Sequence, residues 1–183
     1  MMRQIFEESK PAVTEADVKM ITGAVRTAAA LVTVAQQAVT LLRIRTASAQ
    51  AIRYRSMPKG GGDPRSLADY VVELEAKIER MAEVGRIEAA IVDRVAEIFS
   101  RLDDPQEQAL AGILYLSPKK ISTERALAEL QQAWGGSISR TPFYAIKRSM
   151  TAHLLDVVTL EDVHYVEALL DLARDRLRAP SAA

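Results

Sequence analysis

The chain contains no cysteine. That excludes a disulfide frame, thiol catalysis and thiolate metal centres, and it fits a reducing cytoplasm. Histidine is almost as scarce: His153 and His164 are the only two. They stand about three helical turns apart in sequence, with a helix break expected between them. They read as surface or partly buried structural residues, so no metal site and no catalytic base is expected. No nucleophile is assembled with a base, and no cofactor motif is present. The triple glycine Gly60–Gly62 lacks the Lys-Ser/Thr of a phosphate loop and follows no strand, so it reads as a flexible hinge. The chain is expected to be a non-enzyme. Sustained strand alternation and internal repeats are also missing. Residues Thr27 to Leu42 carry no formal charge, but Gln36 and Gln37 lie inside the run and Arg26 and Arg43 close it. That is too short and too polar for a membrane span and reads as a buried or interfacial helix. Met1 to Lys10 lacks the basic-then-apolar order of a signal peptide, and a cytoplasmic location is expected.

What is present is an ordinary globular composition, 49% hydrophobic and 26% charged over 183 residues. This is enough chain to bury a real core. The net charge is zero, but the charge is unevenly placed. Residues 1–64 hold nine Lys/Arg against five Asp/Glu, a balance of +4; residues 65–117 hold six against eleven, −5. Residues 118–153 hold six against two, +4, and residues 154–183 three against six, −3. A local basic excess within a neutral chain is what attraction to phosphate needs.

The pattern is helical almost throughout, giving an all-α fold. Thr14 caps a first helix, with Glu15 and Asp17 in its first turn, that runs past Ala51. Its Ala, Val, Thr and Leu content suits close helix packing or a dimer seam. Met57-Pro58-Lys59-Gly60-Gly61-Gly62-Asp63-Pro64 breaks it. A second helix, from about Ser66 to Arg101, carries Leu67, Val71, Leu74, Ile78, Met81, Val84, Ile91, Val95, Ile98 and Leu102 at helical spacing. Asp104-Pro105-Gln106-Glu107 opens a third helix with a cap, a proline and an acidic third position; it ends near Leu116-Ser117-Pro118. Ser122 or Thr123 caps a fourth, stopped by Gly135-Gly136. A fifth starts at Ser139 or Thr141, and Thr159-Leu160-Glu161-Asp162 forms a capping box for a last helix to about Arg178. The expected organisation is a tail at 1–13, a long helical hairpin at 14–102 for support and oligomerisation, a helix-turn-helix unit at 103–153, and a C-terminal helix and tail at 154–183.

The segment Ser137 to Arg148 carries the chemistry. An amphipathic helix, a glycine turn and a basic helix are the layout of a helix-turn-helix whose second helix enters the DNA major groove. Phe143, Ile146 and Met150 lie three and four apart and can pack on the fourth helix. Ser139, Arg140, Thr141, Tyr144, Lys147 and Arg148 fall largely elsewhere. Arg can read guanine edges with two hydrogen bonds, and Ser or Thr can hold phosphate or base. Lys119 and Lys120 can grip the backbone alongside. The bland alternative is an amphipathic helix whose basic face is merely solvated. Trp134, at the end of the fourth helix, is expected to plug the core.

These residues carry a resemblance. Ile138-Ser139-Arg140-Thr141 with Tyr144 and Lys147-Arg148 resembles the recognition helix of sigma-factor region-four-like proteins, and Leu102 to Glu107 with Leu114-Tyr115-Leu116 resembles the first helix of that module. Ala47 to Gln50, then Met57 to Gly62 and a long charged helix, are similar in order to small phage-encoded regulators of the ArpU/RinA type. The resemblance covers about residues 45–153. It implies a sequence-specific DNA-binding regulator of phage or prophage late genes that acts on double-stranded DNA and can touch RNA polymerase. It implies no cofactor, and paired half-sites imply a homo-oligomer. Two other readings compete: a phage DNA-packaging recognition subunit, and an all-helical interaction or inhibitor protein without DNA contact.

Overall fold

The structure, a computed structural model, describes residues 12–55 and 67–178, with side chains over 12–47 and 68–178. Among the described residues there are six helices and no strand. They are α1 (Glu15–Arg55), α2 (Leu67–Ser100), α3 (Pro105–Tyr115), α4 (Thr123–Trp134), α5 (Arg140–Val157) and α6 (Leu160–Arg178). The all-α expectation holds. The triple-glycine hinge and the Asp63-Pro64 cap lie outside the described residues.

Thr14 starts α1 as anticipated. Its hydroxyl accepts from the Asp17 amide at 3.3 Å, and the Asp17 carboxylate accepts from the Thr14 amide at 2.8 Å and from its hydroxyl at 2.7 Å. At about 1.5 Å per residue, the 41 residues of α1 span roughly 60 Å. Val18, Ile21, Ala24, Val25, Ala28, Ala35, Val39 and Leu42 recur at helical spacing and are buried. The alanines among them let α1 approach its neighbours closely. Threonine is unusually common for a helix interior, and it is tolerated because its hydroxyls bond inward: Thr33 donates to the Ala29 carbonyl and Thr40 to the Gln36 carbonyl, each at 2.9 Å.

α2 returns along α1, and α6 packs against both. The last helix therefore docks on the hairpin rather than on the α3–α5 cluster. One buried carboxylate explains this. Asp162, fully inaccessible, forms the capping box of α6 with Thr159 and also pairs with Arg94 of α2 at 2.8 Å and with Arg101, just past the end of α2, at 2.7 Å. Arg101 further donates to the Val157 carbonyl at 3.4 Å, which fixes the α5–α6 corner to the end of α2. The hydrophobic seam of α2 is real over Val84, Ile91, Val95 and Ile98, joined by Ile87 and Phe99. It is not buried at its start, where Val71 and Val72 are 39% and 62% exposed.

α3, α4 and α5 form a cluster at one end of the hairpin and share a single continuous core with it. Arg26 of α1 donates to the Leu114 carbonyl, satisfying an orphan acceptor at the C-terminus of α3. The sequence boundary at 153/154 falls inside α5, which continues to Val157 and buries Leu154 in the common core.

Candidate nucleic-acid interface

Each element of the basic unit is set by local chemistry. Asp104 caps α3, accepting from the Gln106 amide at 2.7 Å, with Pro105 at the first helical position. Ser122 caps α4, accepting from the Arg125 amide at 3.3 Å. Gly135 ends α4 with φ 66°, a left-handed conformation that favours glycine, and its amide bonds the Gln131 carbonyl at 3.0 Å. Ser139 is the N-cap of α5, with φ −77° and ψ 167° and no hydrogen bond from its side chain to the helix.

Five residues, 135–139, join α4 to α5, more than the three or four of a tight helix-turn-helix. The connection is tied down by the Gln131 side chain, which donates to the Ile138 carbonyl at 2.7 Å, and by Ile138 itself, which packs on the core. Phe143 and Met150 are buried and Ile146 half-buried, so the apolar face of α5 is where the spacing put it. Its main neighbour differs. Both α4 and α5 pack chiefly on α3, because the longer connection spaces them apart.

The six predicted residues of this segment come together. At about 100° per residue, Arg140, Thr141, Tyr144, Lys147 and Arg148 fall within one arc of α5, separate from that of Phe143, Ile146 and Met150, with Lys147 at the edge between them and Ser139 at the tip. Ser139, Arg140, Thr141, Tyr144 and Arg148 are exposed, and Lys147 is half-buried. Lys119 and Lys120 are exposed on the α3–α4 connection and do not share this helical face.

Two electrostatic features set α5 apart. The other five helices each carry Asp or Glu in the first turn, and α5 carries none, so the positive end of its dipole is not offset locally. Secondly, its cations are unpaired. Among the described residues Lys77, Arg94, Arg101, Arg125, Arg174 and Arg176 all form ion pairs. Among the same residues Arg140, Lys147 and Arg148 form none, and neither do Lys119 and Lys120 nor Lys19, Arg43 and Arg45 of α1.

Sequence reasoning missed three participants. Lys19 of α1 lies across a groove from Lys147 and Arg148, and only tertiary packing brings it there. Gln131 is unremarkable in sequence but anchors the turn. Glu107, expected as the acidic third position of a helix start, turns inward instead, is buried, and bonds His153 of α5. Trp134 is corrected as well: it is 42% exposed, because α4 runs one turn past its buried positions Ala126 and Leu130.

His164 is exposed, and no cluster of three or more metal-ligating side chains occurs among the described residues. One helix, Glu15–Ala47, is long and apolar enough to cross a membrane by length and composition, and a third of its most apolar window is buried inside the protein. Comparisons with protein-family models, with curated proteins and with solved structures find no match.

Proposed function

We propose that this protein is a non-enzymatic, cytoplasmic, sequence-specific DNA-binding regulator in which α5 enters the major groove of duplex DNA. The observation that carries this reading is the unpaired basic face of α5, lying at the N-terminal end of a helix with no acidic first turn. Most of the basic side chains on α2, α4 and α6 are paired with carboxylates, whereas Arg140, Lys147 and Arg148 of α5 are left without one among the described residues. Phosphate supplies the missing negative charge, and the Ser139 hydroxyl is not engaged in capping α5. Arg140 and Thr141, in the first turn, are placed as recognition residues are in a helix-turn-helix. Membership of the sigma region-four-like phage regulators, and contact with RNA polymerase, belong to this proposal on the strength of the residues around 138–148.

The same reading includes a two-fold assembly. Ala30, Val34, Gln37, Leu41 and Ile44 on α1 are alternately four and three residues apart, the spacing of a coiled-coil seam. Val34, Leu41 and Ile44 are 52%, 60% and 58% exposed. Thr33 and Thr40 beside them have turned their hydroxyl protons inward. A second copy of α1 covers such a face, and two recognition units then address paired half-sites.

Binding of labelled duplex, followed by fluorescence anisotropy, tests the reading. Arg140→Ala is expected to lose about 1–3 kcal/mol on a selected site and to relax specificity at one position. Lys147→Ala is expected to weaken all duplexes evenly. Unchanged affinity in both folded variants removes the recognition-helix assignment and favours an interaction protein without DNA contact.

A further inference from the structure

A groove of about 760 Å³ runs between the first turns of α1 and the solvent face of α5. Val18 and Leu154, both buried, contribute an apolar floor. Three cations border it: Lys19 from α1, and Lys147 and Arg148 from α5. None of the three forms an ion pair within the described residues, and Glu15 is the only carboxylate in the lining. Two threonines also line it, but their protons are spent. Thr22 donates to the Val18 carbonyl at 2.9 Å and Thr151 to the Lys147 carbonyl at 2.8 Å. An anion in this groove therefore gains no hydroxyl hydrogen bond from these threonines and is held chiefly by the three cations. Ser139, Arg140 and Thr141 are not part of the lining. The basic face of α5 is thus divided along its length: the first turn is open to solvent, and the stretch from Tyr144 onward is walled by α1.

Resting on the DNA-binding reading, we infer that this groove is the seat of a phosphodiester backbone, and that Lys19, from outside the helix-turn-helix unit, grips it together with Lys147 and Arg148. The division of α5 follows from the two tasks. Base edges are read by a helix end that projects freely, and a backbone is held by a concave basic wall. The long hairpin accordingly contributes directly to the DNA surface. Glu15, at the mouth, opposes the phosphate and limits the grip.

The test uses the full chain and a labelled random-sequence duplex, titrated between about 50 and 200 mM salt. Lys19→Ala is expected to weaken binding severalfold and to reduce the salt slope by about 0.9, the signature of one lost phosphate contact. Lys19→Arg restores the slope, and Glu15→Gln tightens binding. Arg43→Ala makes the same change in net charge on an exposed part of α1 far along the helix, and leaves the slope as it is in wild type. Lys19 is exposed and makes no side-chain bond among the described residues, so an unchanged melting temperature accompanies these effects. A Lys19→Ala slope equal to wild type, or a loss matched by Arg43→Ala, overturns the seat while the recognition role of α5 stands. Wild type without affinity for duplex at low salt overturns both.

Discussion

His153 Nδ1 lies 2.7 Å from a carboxylate oxygen of Glu107, joining α5 to α3 through an acid that is only 2% exposed. The Glu107 hydrogen bond, and then its charge, raise the His153 pKa above its ordinary value, with Asp156 and Asp103 adding to the effect against a small opposing cost of burial. A protonated His153 donates to Glu107; a neutral one leaves a buried carboxylate with a weaker partner.

The sign of the pH dependence follows. Because the folded pKa is raised, the bond's contribution is complete below the unfolded value of about 6.5 and is lost as pH rises through the higher folded value. Urea midpoints taken between about pH 5.5 and pH 8 are expected to fall with rising pH in wild type, and to fall less in His153→Gln. Identical profiles in the two proteins show that the pair does not link α3 to α5 in solution.

Asp162 has a different dependence. Burial pushes its carboxyl pKa up, but hydrogen bonds from Arg101 and Thr159 outweigh it, and the net shift is downward. Its contribution is present above the unfolded carboxyl value of about 3.9 and is lost as pH falls through the lower folded value. Asp162→Ala takes the buried partner from Arg94 and Arg101, leaving both with the exposed Glu97, and breaks the capping box of α6. A buried pair broken on one side costs about 3–5 kcal/mol, and because both arginines reach solvent we expect roughly 2–3 kcal/mol. Asp162→Asn, which keeps an acceptor for Thr159, is expected to cost less. Chemical denaturation of the two variants decides; equal, small losses mean that the arginines find water instead.

The α1 seam is tested at Leu41. Leu31, ten residues earlier on the same helix, is half-buried and packed on the core, so a charge there disturbs the fold and reports nothing about assembly. Leu41 projects outward. Leu41→Glu is expected to convert a dimer to a monomer with no loss in melting temperature beyond that of dissociation. Sedimentation of wild type as a monomer at high concentration removes the dimer.

Much of this architecture was legible because the punctuation is strong. Thr14, Asp104-Pro105, Ser122 and Thr159-Asp162 are caps whose chemistry is local, and Gly135 stops α4 because a left-handed residue is needed there. The apolar face of α5 followed from spacing alone. What was not legible depends on which surfaces meet. Nothing in the spacing of α4 says that it outruns its support at Trp134. Glu107 has the position of a helix-start acid, and only the arrival of His153 from 46 residues away makes it a buried partner. Lys19 sits in a segment that reads as structural support, and becomes part of a basic wall only because the end of α1 folds over α5.

The continuity of α5 bears on how such a protein can be inherited. One uninterrupted helix carries Arg140 at its tip and Leu154 in the shared core, and its end at Val157 is held by Arg101, just past the end of α2. A helical unit joined in this way is not a cassette. Recombination that exchanged residues 103–153 alone would splice a foreign helix in mid-turn onto an interface shaped for another. Under the proposed DNA-binding role, new specificity comes by point changes on the outer face of α5, with its inner face and the hairpin beneath it passed on together.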